Sequence, residues 1–244
     1  MAKAEFIRAG GGRCYLRSPA CPQGDSAFYD SFFSADYIRA HDHRVETAGG
    51  RGTALLFERD GRELVSRHYW RGGLWGKLAG DRFFRGAKGS ARAFDEFLLL
   101  QRLCHRGLPV PEPYLARKIT SGLCCRNDLV TLRISQSRNL ADIIRDRELS
   151  PEEMERIGKV LAQFFAAGVL HTDLNIRNIL LDTSGAVFII DFDKCSDRGI
   201  NDAQKQTMVA RLRRSFRKEK SANATQTHFD EDSFAFLSRA ALGL

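Results

Sequence analysis

Three polar residues in the second half of the chain have the types and the spacing that phosphate chemistry requires. Asp173 and Asn178 lie in one segment, and Asp191 follows a short apolar run beyond a turn. We predict a hairpin that brings Asp191 back to the other two. Carboxylate and amide oxygens suit Mg2+ and leave room for phosphate oxygens and water. The spacing therefore favours Asn178 and Asp191 as metal ligands and Asp173 as the base that accepts a hydroxyl proton.

The segment around these residues resembles the catalytic loop of protein kinases. It reads H-T-D-L-N-I-R-N-I-L-L-D from His171, and V-F-I-I-D-F-D follows from Val187. These strings are similar to H-R-D-x-x-x-x-N followed by D-F-G, with Asp193 in place of the glycine. Each residue alone has an ordinary role in a turn or loop. Their joint spacing favours phosphoryl transfer.

A second group of candidates lies in the first half of the chain. Gly50 and Gly52 precede an apolar strand and are candidates to lie over phosphates, although the run is not a full G-x-G-x-x-G and a plain turn is the alternative. Arg67 stands at the lysine position of V-A-I-K, and Glu96 is its predicted ion-pair partner, with ordinary surface charges as the alternative. Arginine grips phosphate differently from lysine. The reserve candidates are Lys77 and Lys88.

Hydrophobic patterning predicts the elements that position these residues. An Asp60-Gly61 pair between two apolar runs is typical of a tight hairpin. A helix is expected over Arg92–His105, and another begins at Ser150 with a capping box to Glu153. The stretch up to about Phe33 has no clear period and is predicted to be an irregular or capping segment. The first of these helices is predicted to carry Phe94, Phe97, Leu98 and Leu103 on one helix-spaced face.

Length and composition exclude a short disulfide-stapled scaffold, a disordered or fibrous protein and a membrane-spanning protein. The 244 residues carry a net charge of +8, which favours a polyanionic partner such as a nucleotide, a nucleic acid or an anionic membrane. The six cysteines form no C-x-x-C pair and are interpreted as reduced thiols. The longest apolar stretch, Leu161–Leu170, is far shorter than the roughly 20 residues that a membrane span needs. Any membrane contact is therefore predicted to be peripheral.

Three blocks make the chain resemble the lipopolysaccharide-core kinase family, and within it the kinases of 3-deoxy-D-manno-octulosonic acid (Kdo). They are R-H-Y-W-R-G-G-L-W-G-K-L from Arg67, A-F-D-E-F-L-L-L-Q-R-L-C-H-R-G-L-P-V-P-E-P from Ala93, and the loop from His171 with I-D-F-D-K from Ile190. The resemblance implies an α+β, bilobal, protein-kinase-like fold. Residues 1–134 would form a small β-rich lobe with its connector, and residues 135–244 a helical lobe.

The same resemblance implies a function. ATP and Mg2+ would serve to phosphorylate a hydroxyl of the Kdo sugar on Kdo-lipid A, in lipopolysaccharide inner-core biosynthesis at the cytoplasmic face of the bacterial inner membrane. The backbone of the connector near Leu132 to Ile134 would meet the adenine. The expected partners are Kdo-lipid A, ATP and an anionic membrane surface, with no nucleic acid.

Two further stretches fit a lipid-linked acceptor. His68–Arg85 mixes aromatic and basic residues, as an interface with anionic headgroups does, and packing of the small lobe is the alternative. A later run places basic residues around Leu212 and Phe216, which predicts an amphipathic helix on a membrane surface or a solvated charged helix. Its basic residues are Arg211, Arg213, Arg214, Arg217, Lys218 and Lys220.

Two other functions compete with this interpretation. A RIO-type atypical protein kinase, acting on a protein or ribosomal partner, also has a loop that reads H-x-D-L-x-x-x-N. A pseudo-kinase adaptor would use the basic charge alone, but Asp173, Asn178 and Asp191 are intact. The chain beyond Asp193 is short and has no A-P-E segment, which argues for a small or lipid-linked acceptor.

Overall fold

The fold combines a large antiparallel sheet with helices. The computed structural model describes residues 3–48, 54–70, 83–84, 90–222 and 227–244, which contain eleven strands and seven helices. The predicted α+β class is confirmed. The chain divides into two compact units, Met1–Arg102 with Glu112–Arg133 and Leu103–Pro111 with Ile134–Leu244.

The described part of the first unit contains eight strands and two short helices. The strands are β1 (Glu5–Ala9), β2 (Arg13–Arg17), β3 (His43–Ala48), β4 (Ala54–Arg59), β5 (Arg62–His68), β6 (Phe83–Phe84), β7 (Pro113–Ser121) and β8 (Cys124–Leu132). The helices are α1 (Ser26–Ser31) and α2 (Ala35–His41). The strands pair in the order β1-β2-β7-β8-β5-β4-β3, and β6 pairs with β8 beside this path. Every pairing in this set is antiparallel.

One hairpin of this sheet was predicted from local sequence, and another was not. The β4–β5 hairpin turns at Asp60 and Gly61, both with positive φ, as predicted. The expectation of an irregular amino-terminal stretch was wrong, because β1 and β2 pair there. Their turn depends on Gly12, where a Cβ would lie 2.2 Å from the carbonyl oxygen of Thr120. That constraint comes from β7, more than 100 residues further along the chain.

Aromatic residues in α1 and directly after it pack against one face of the sheet. The ring of Tyr29 packs 5.1 Å from that of Tyr15, and the ring of Phe32 packs 5.7 Å from that of Tyr114. Burial of such large apolar surfaces is the dominant favourable contribution to folding. The buried cluster contains Tyr15, Cys21, Tyr29, Phe32, Ile38, Phe57, Leu64, Tyr114, Leu115 and Val130.

A buried charged network fixes the strand that carries Arg67. The carboxylate of Asp128 on β8 contacts Nδ1 of His68 on β5 at 2.5 Å and accepts a hydrogen bond from Nε of Arg117 at 2.9 Å. Arg117 also donates to Asp30 on α1 at 2.9 Å. Because Asp128 is almost fully buried, each of these partners offsets the cost of desolvating its charge.

The second unit contains a small sheet and a set of helices. Its strands are β9 (Ser137–Asn139), β10 (Ile179–Asp182) and β11 (Val187–Ile189), which pair antiparallel in the order β11-β10-β9. The helix α3 (Arg92–His105) begins in the first unit and ends in the second. The remaining helices are α4 (Leu140–Asp146), α5 (Pro151–Ala166), α6 (Asp202–Ala222) and α7 (Glu231–Leu242).

The helices of the second unit pack through close contacts. At Gly158 of α5, a Cβ would lie 2.4 Å from the carbonyl oxygen of Leu237 on α7, so only glycine permits this approach. Phe216 of α6 is fully buried against Phe229 and against Phe234 of α7. The capping box that starts α5 is confirmed. Across the described ranges, no helix combines the length and the apolar character needed to cross a bilayer.

Candidate active site

His171 is the first residue of the catalytic loop, and its buried imidazole makes two hydrogen bonds. Its Nδ1 accepts a hydrogen bond from the backbone N–H of Asp173 at 3.3 Å, and its Nε2 donates to the carbonyl oxygen of Ile190 at 3.0 Å. Burial is the largest influence on the pKa of His171 and lowers it. The hydrogen bond to Ile190 and the charges of Asp191 and Asp173 raise the pKa, but they do not cancel the effect of burial. The imidazole is therefore neutral, and its role is to join the loop to the end of the β10–β11 hairpin.

Asn178 completes the connection between the loop and the hairpin. Its side-chain Nδ2 donates to the backbone oxygen of Asp173 at 2.9 Å, and its own backbone oxygen accepts a hydrogen bond from the N–H of Ile190 at 2.9 Å. Both polar groups of the Ile190 backbone are thus held by the loop. Because Asp191 is the next residue, the three residues predicted to do chemistry are brought together.

Asp191 has a backbone conformation that few residues adopt. Its φ is 64°, in the left-handed region, where aspartate is better tolerated than most residues. The surrounding structure holds this conformation, since Phe192 is buried with its ring stacked on Phe164 and edge-on to His171. The hydroxyl of Thr172 donates to the backbone oxygen of Asp193 at 3.1 Å. The positive φ at Asp191 raises the local conformational free energy, and such strained residues are common at functional sites.

The oxygen atoms at this site suit Mg2+. The Nδ2 group of Asn178 is used by Asp173, which leaves Oδ1 with no hydrogen-bond donor among the described residues. The carboxylate of Asp173 is exposed and likewise has no partner in that part of the chain. These oxygens and the carboxylate of Asp191 are ligands of the type that Mg2+ prefers. No cluster of three or more His, Cys, Asp or Glu arranged as a metal site occurs within the described ranges.

One face of α6 holds the catalytic loop in place. The backbone N–H of His171 contacts Sδ of Met208 at 3.3 Å, and the N–H of Ile176 donates to Oγ of Ser215 at 3.1 Å. Nη2 of Arg177 donates to Oε2 of Glu219 at 2.8 Å. Residues 208, 215 and 219 are seven and four positions apart, which places them on one face of a helix. The loop therefore lies along α6.

Glu219 is a buried residue that contacts the catalytic loop and that the sequence pattern did not single out. It is buried, and it also accepts a hydrogen bond from Nε of Arg145 on α4 at 2.9 Å. The pairing with Arg177 matters because Arg177 immediately precedes Asn178. A signal was present in the sequence: Glu219 lies seven residues after Leu212 and three after Phe216, on the apolar side of a helix rich in basic residues. An acid at such a position needs cationic partners.

In the first unit, Arg67 and Glu96 form an ion pair. Nη2 of Arg67 lies 2.5 Å from Oε1 of Glu96, which is buried, and the hydroxyl of Tyr69 donates to Oε2 at 2.5 Å. Burial raises the pKa of Tyr69 well above its ordinary value, and the negative charge of Glu96 adds to the effect. Tyr69 is therefore a neutral donor that helps to hold the glutamate. The role of the pair toward phosphate stays a prediction.

Several predicted residues lie outside the described ranges. They are Gly50, Gly52, Lys77 and Lys88, together with most of the basic and aromatic stretch His68–Arg85. Within that stretch, Trp70 is exposed and Phe83 is buried.

Comparison with known proteins identifies the family. Residues 36–235 match the model of the lipopolysaccharide kinase (Kdo/WaaP) family. The chain is 40% identical over 208 residues to a 3-deoxy-D-manno-octulosonic acid kinase of Vibrio parahaemolyticus, covering 85% of this chain and 86% of the relative. It is 37% identical over 217 residues to the kinase of the same name from Haemophilus influenzae strain 86-028NP, covering 86% and 89%. With this match across most of its length, and with its loop and hairpin joined around Asp173, Asn178 and Asp191, the chain belongs to the lipopolysaccharide kinase (Kdo/WaaP) family.

Proposed function

We propose that this protein is a 3-deoxy-D-manno-octulosonic acid kinase, which transfers a phosphoryl group from ATP to a hydroxyl of the Kdo sugar on Kdo-lipid A. The observation that carries the proposal is the joining of the catalytic loop to the β10–β11 hairpin, which gathers Asp173, Asn178 and Asp191. The relatives that share most of the chain carry this name. The family match does not favour the RIO-type alternative. The reaction belongs to lipopolysaccharide inner-core biosynthesis.

The chemistry that follows is an in-line phosphoryl transfer. The acceptor hydroxyl passes its proton to the carboxylate of Asp173 while its oxygen forms a bond to the γ-phosphorus. The bond between that phosphorus and the β–γ bridging oxygen breaks, and ADP leaves with the bond's electron pair. Asp173 suits this role because its carboxylate is exposed and has no partner among the described residues, while its backbone oxygen is fixed by Asn178.

The remaining groups bind and position the nucleotide. Asn178 and Asp191 would hold Mg2+, which neutralises charge on the phosphates. Arg67, held by Glu96, positions the phosphates with its planar cationic group. Gly50 and Gly52 lie outside the described residues and remain sequence-based candidates for the phosphates. The backbone near Leu132 to Ile134 would meet the adenine.

The proposal extends to the organisation and location of the protein. It is a bilobal kinase, with a β-rich lobe of residues 1–134 and a helical lobe of residues 135–244. It works as a peripheral protein at the cytoplasmic face of the bacterial inner membrane, where its acceptor lies. The net charge of +8 supports contact with an anionic membrane surface.

The experiment that tests this function is mass spectrometry of the acceptor. Kdo-lipid A is incubated with the protein, ATP and Mg2+, and the product is expected to gain one phosphoryl group on the Kdo sugar. The Asp173→Ala protein is the matched control and should give no product. Transfer of labelled phosphate to protein substrates, with unmodified Kdo-lipid A, would contradict the proposal and favour a protein kinase.

A further inference from the structure

The basic helix α6 presents different chemistry on different faces. Leu212 and Phe216 are fully buried, so its apolar side is covered by the protein itself. An amphipathic helix that lies on a membrane inserts its apolar face. α6 is therefore not available for that mode of binding, but its basic side chains can still contact an anionic ligand.

Three of the six basic residues already have partners. Arg213 and Arg217 form ion pairs with Glu231 of α7, at 2.6 and 2.5 Å. Nζ of Lys220 donates to the backbone oxygen of Phe229 at 2.7 Å. These three paired residues lie on one side of the helix.

The other three basic residues have no such partners. Arg211, Arg214 and Lys218 make no ion pair or hydrogen bond with any residue that the structure describes, and Arg214 and Lys218 are exposed. Their spacing of three and four places them in one row along the helix, which we call the cationic stripe. At 1.5 Å per residue the stripe is about 10 Å long, which exceeds the width of a single carboxylate.

The cationic stripe flanks the catalytic loop. At 3.6 residues per turn, it lies about a quarter of a turn around α6 from the face of Met208, Ser215 and Glu219 that holds the loop. Arg213 and Arg217 lie nearly on the opposite side from that face. Arg211 lies three positions along α6 from Met208, whose Sδ contacts the backbone N–H of His171 at 3.3 Å, so Arg211 lies within one helical turn of the start of the loop.

We propose that Arg211, Arg214 and Lys218 bind the acidic groups of the glycolipid acceptor and thereby bring its sugar to the catalytic loop. This inference rests on the proposed function. The acceptor named for the relatives is a sugar acid, whose carboxylate is ionised at neutral pH. Arginine matches carboxylate geometry with paired hydrogen bonds, and the length of the stripe suits a ligand with more than one anionic group. Charge complementarity and position beside the loop select the acceptor as the occupant.

The test compares two variants on the same helix. The triple variant Arg211→Gln, Arg214→Gln, Lys218→Gln removes the stripe, and the control Arg213→Gln, Arg217→Gln removes cations from the other side. We expect the triple variant to raise the KM for Kdo-lipid A about tenfold or more, equivalent to at least about 1.4 kcal/mol, with the KM for ATP unchanged. The control should leave both constants unchanged. An equal effect of the two variants, or an unchanged acceptor KM in the triple variant, would overturn the proposal.

A binding measurement separates the acceptor from the membrane and from turnover. Co-sedimentation is measured with phosphatidylcholine vesicles that contain Kdo-lipid A, and with phosphatidylglycerol vesicles that lack it. The triple variant should lose binding to the first kind selectively, and equal loss from both kinds would assign the stripe to general membrane charge instead. A wild-type protein that binds Kdo-lipid A through the stripe but fails to phosphorylate it would refute the proposed function and leave the stripe standing. Arg214→Gln alone, at an exposed position, provides the same test if the triple variant misfolds.

Discussion

Replacing Glu219 by glutamine removes the charge that holds the catalytic loop against α6. The side chain keeps its size and one acceptor oxygen, but it no longer attracts Arg177 and Arg145 as a carboxylate does. Because Arg177 adjoins Asn178, we expect the loop to shift at the proposed metal ligand. The predicted result is a loss of turnover that exceeds the loss of stability.

The size of the effect follows from burial. Glu219 is 9% exposed, whereas its partners Arg145 and Arg177 are 37% and 55% exposed. Hydrogen bonds to charged groups contribute about 1.5–3 kcal/mol each, and exposure of the arginines reduces this, so we expect a total loss of about 2 kcal/mol. That corresponds to a fall in Tm of about 4–8 °C. A displacement of about 1 Å at a reacting group costs up to about 100-fold in rate, so kcat should fall about 10- to 100-fold.

The chain offers a matched control for this prediction. Glu231 also pairs with two arginines of α6, Arg213 and Arg217, but it is 38% exposed and lies away from the loop. Glu231→Gln should cost less than about 1 kcal/mol and leave turnover unchanged. The assay is initial rate across a magnesium titration, beside thermal unfolding, for both variants. If Glu219→Gln lowers Tm but leaves kcat and the magnesium response at wild-type values, Glu219 only stabilises the fold and the reasoning is refuted.

Three further outcomes are expected from the loop and the hairpin. Asp173→Ala should abolish nearly all turnover with folding and ATP binding intact, because its carboxylate has no partner among the described residues, and retained turnover would contradict its role as the base. Asn178→Ala and Asp191→Ala should each raise the magnesium concentration needed for half-maximal rate, and a wild-type titration in both would remove them from the metal site. Because the pKa of His171 is lower in the folded protein, the unfolded chain binds a proton first as the pH falls. The contribution of the neutral imidazole to stability is therefore complete above about pH 6.5 and is lost as the pH falls below that value. Urea unfolding between about pH 5 and 7.5 should show this slope, and it should flatten in His171→Asn; equal slopes would contradict the assignment.

Elements specified by adjacent residues were predictable from the sequence. The turn at Asp60 and Gly61 needs positive φ at both positions, which these residues tolerate, and the start of α5 depends on Ser150 and Glu153 only three residues apart. The joining of the catalytic loop to the hairpin was also predictable, because Asp173, Asn178 and Asp191 lie close in sequence and the β10–β11 turn is short.

Features that depend on distant partners were not predictable. The contact of Glu219 with Arg177 joins residues 42 positions apart, and no local pattern specifies which cation an acid will meet. Leu98 shares a helix-spaced apolar face in the sequence but is 39% exposed, because the buried face of α3 includes Glu96, whose charge is balanced by Arg67. The basic residues of α6 were treated as one group in the sequence. In the structure, Glu231 pairs with Arg213 and Arg217, so among the described residues the helix has a paired basic side and an unpaired one.

The close approach of α7 to α5 at Gly158 affects when the enzyme can begin to work. During synthesis, α5 and α6 leave the ribosome before α7, with the apolar surfaces around Gly158 and Phe216 still uncovered. Those surfaces are completed only when Phe234 and Leu237 arrive. A nascent chain that already contains the whole catalytic loop therefore lacks the support of α6 until residues 231–242 have emerged. Synthesis that stops before α7 should yield an inactive chain that is prone to aggregation.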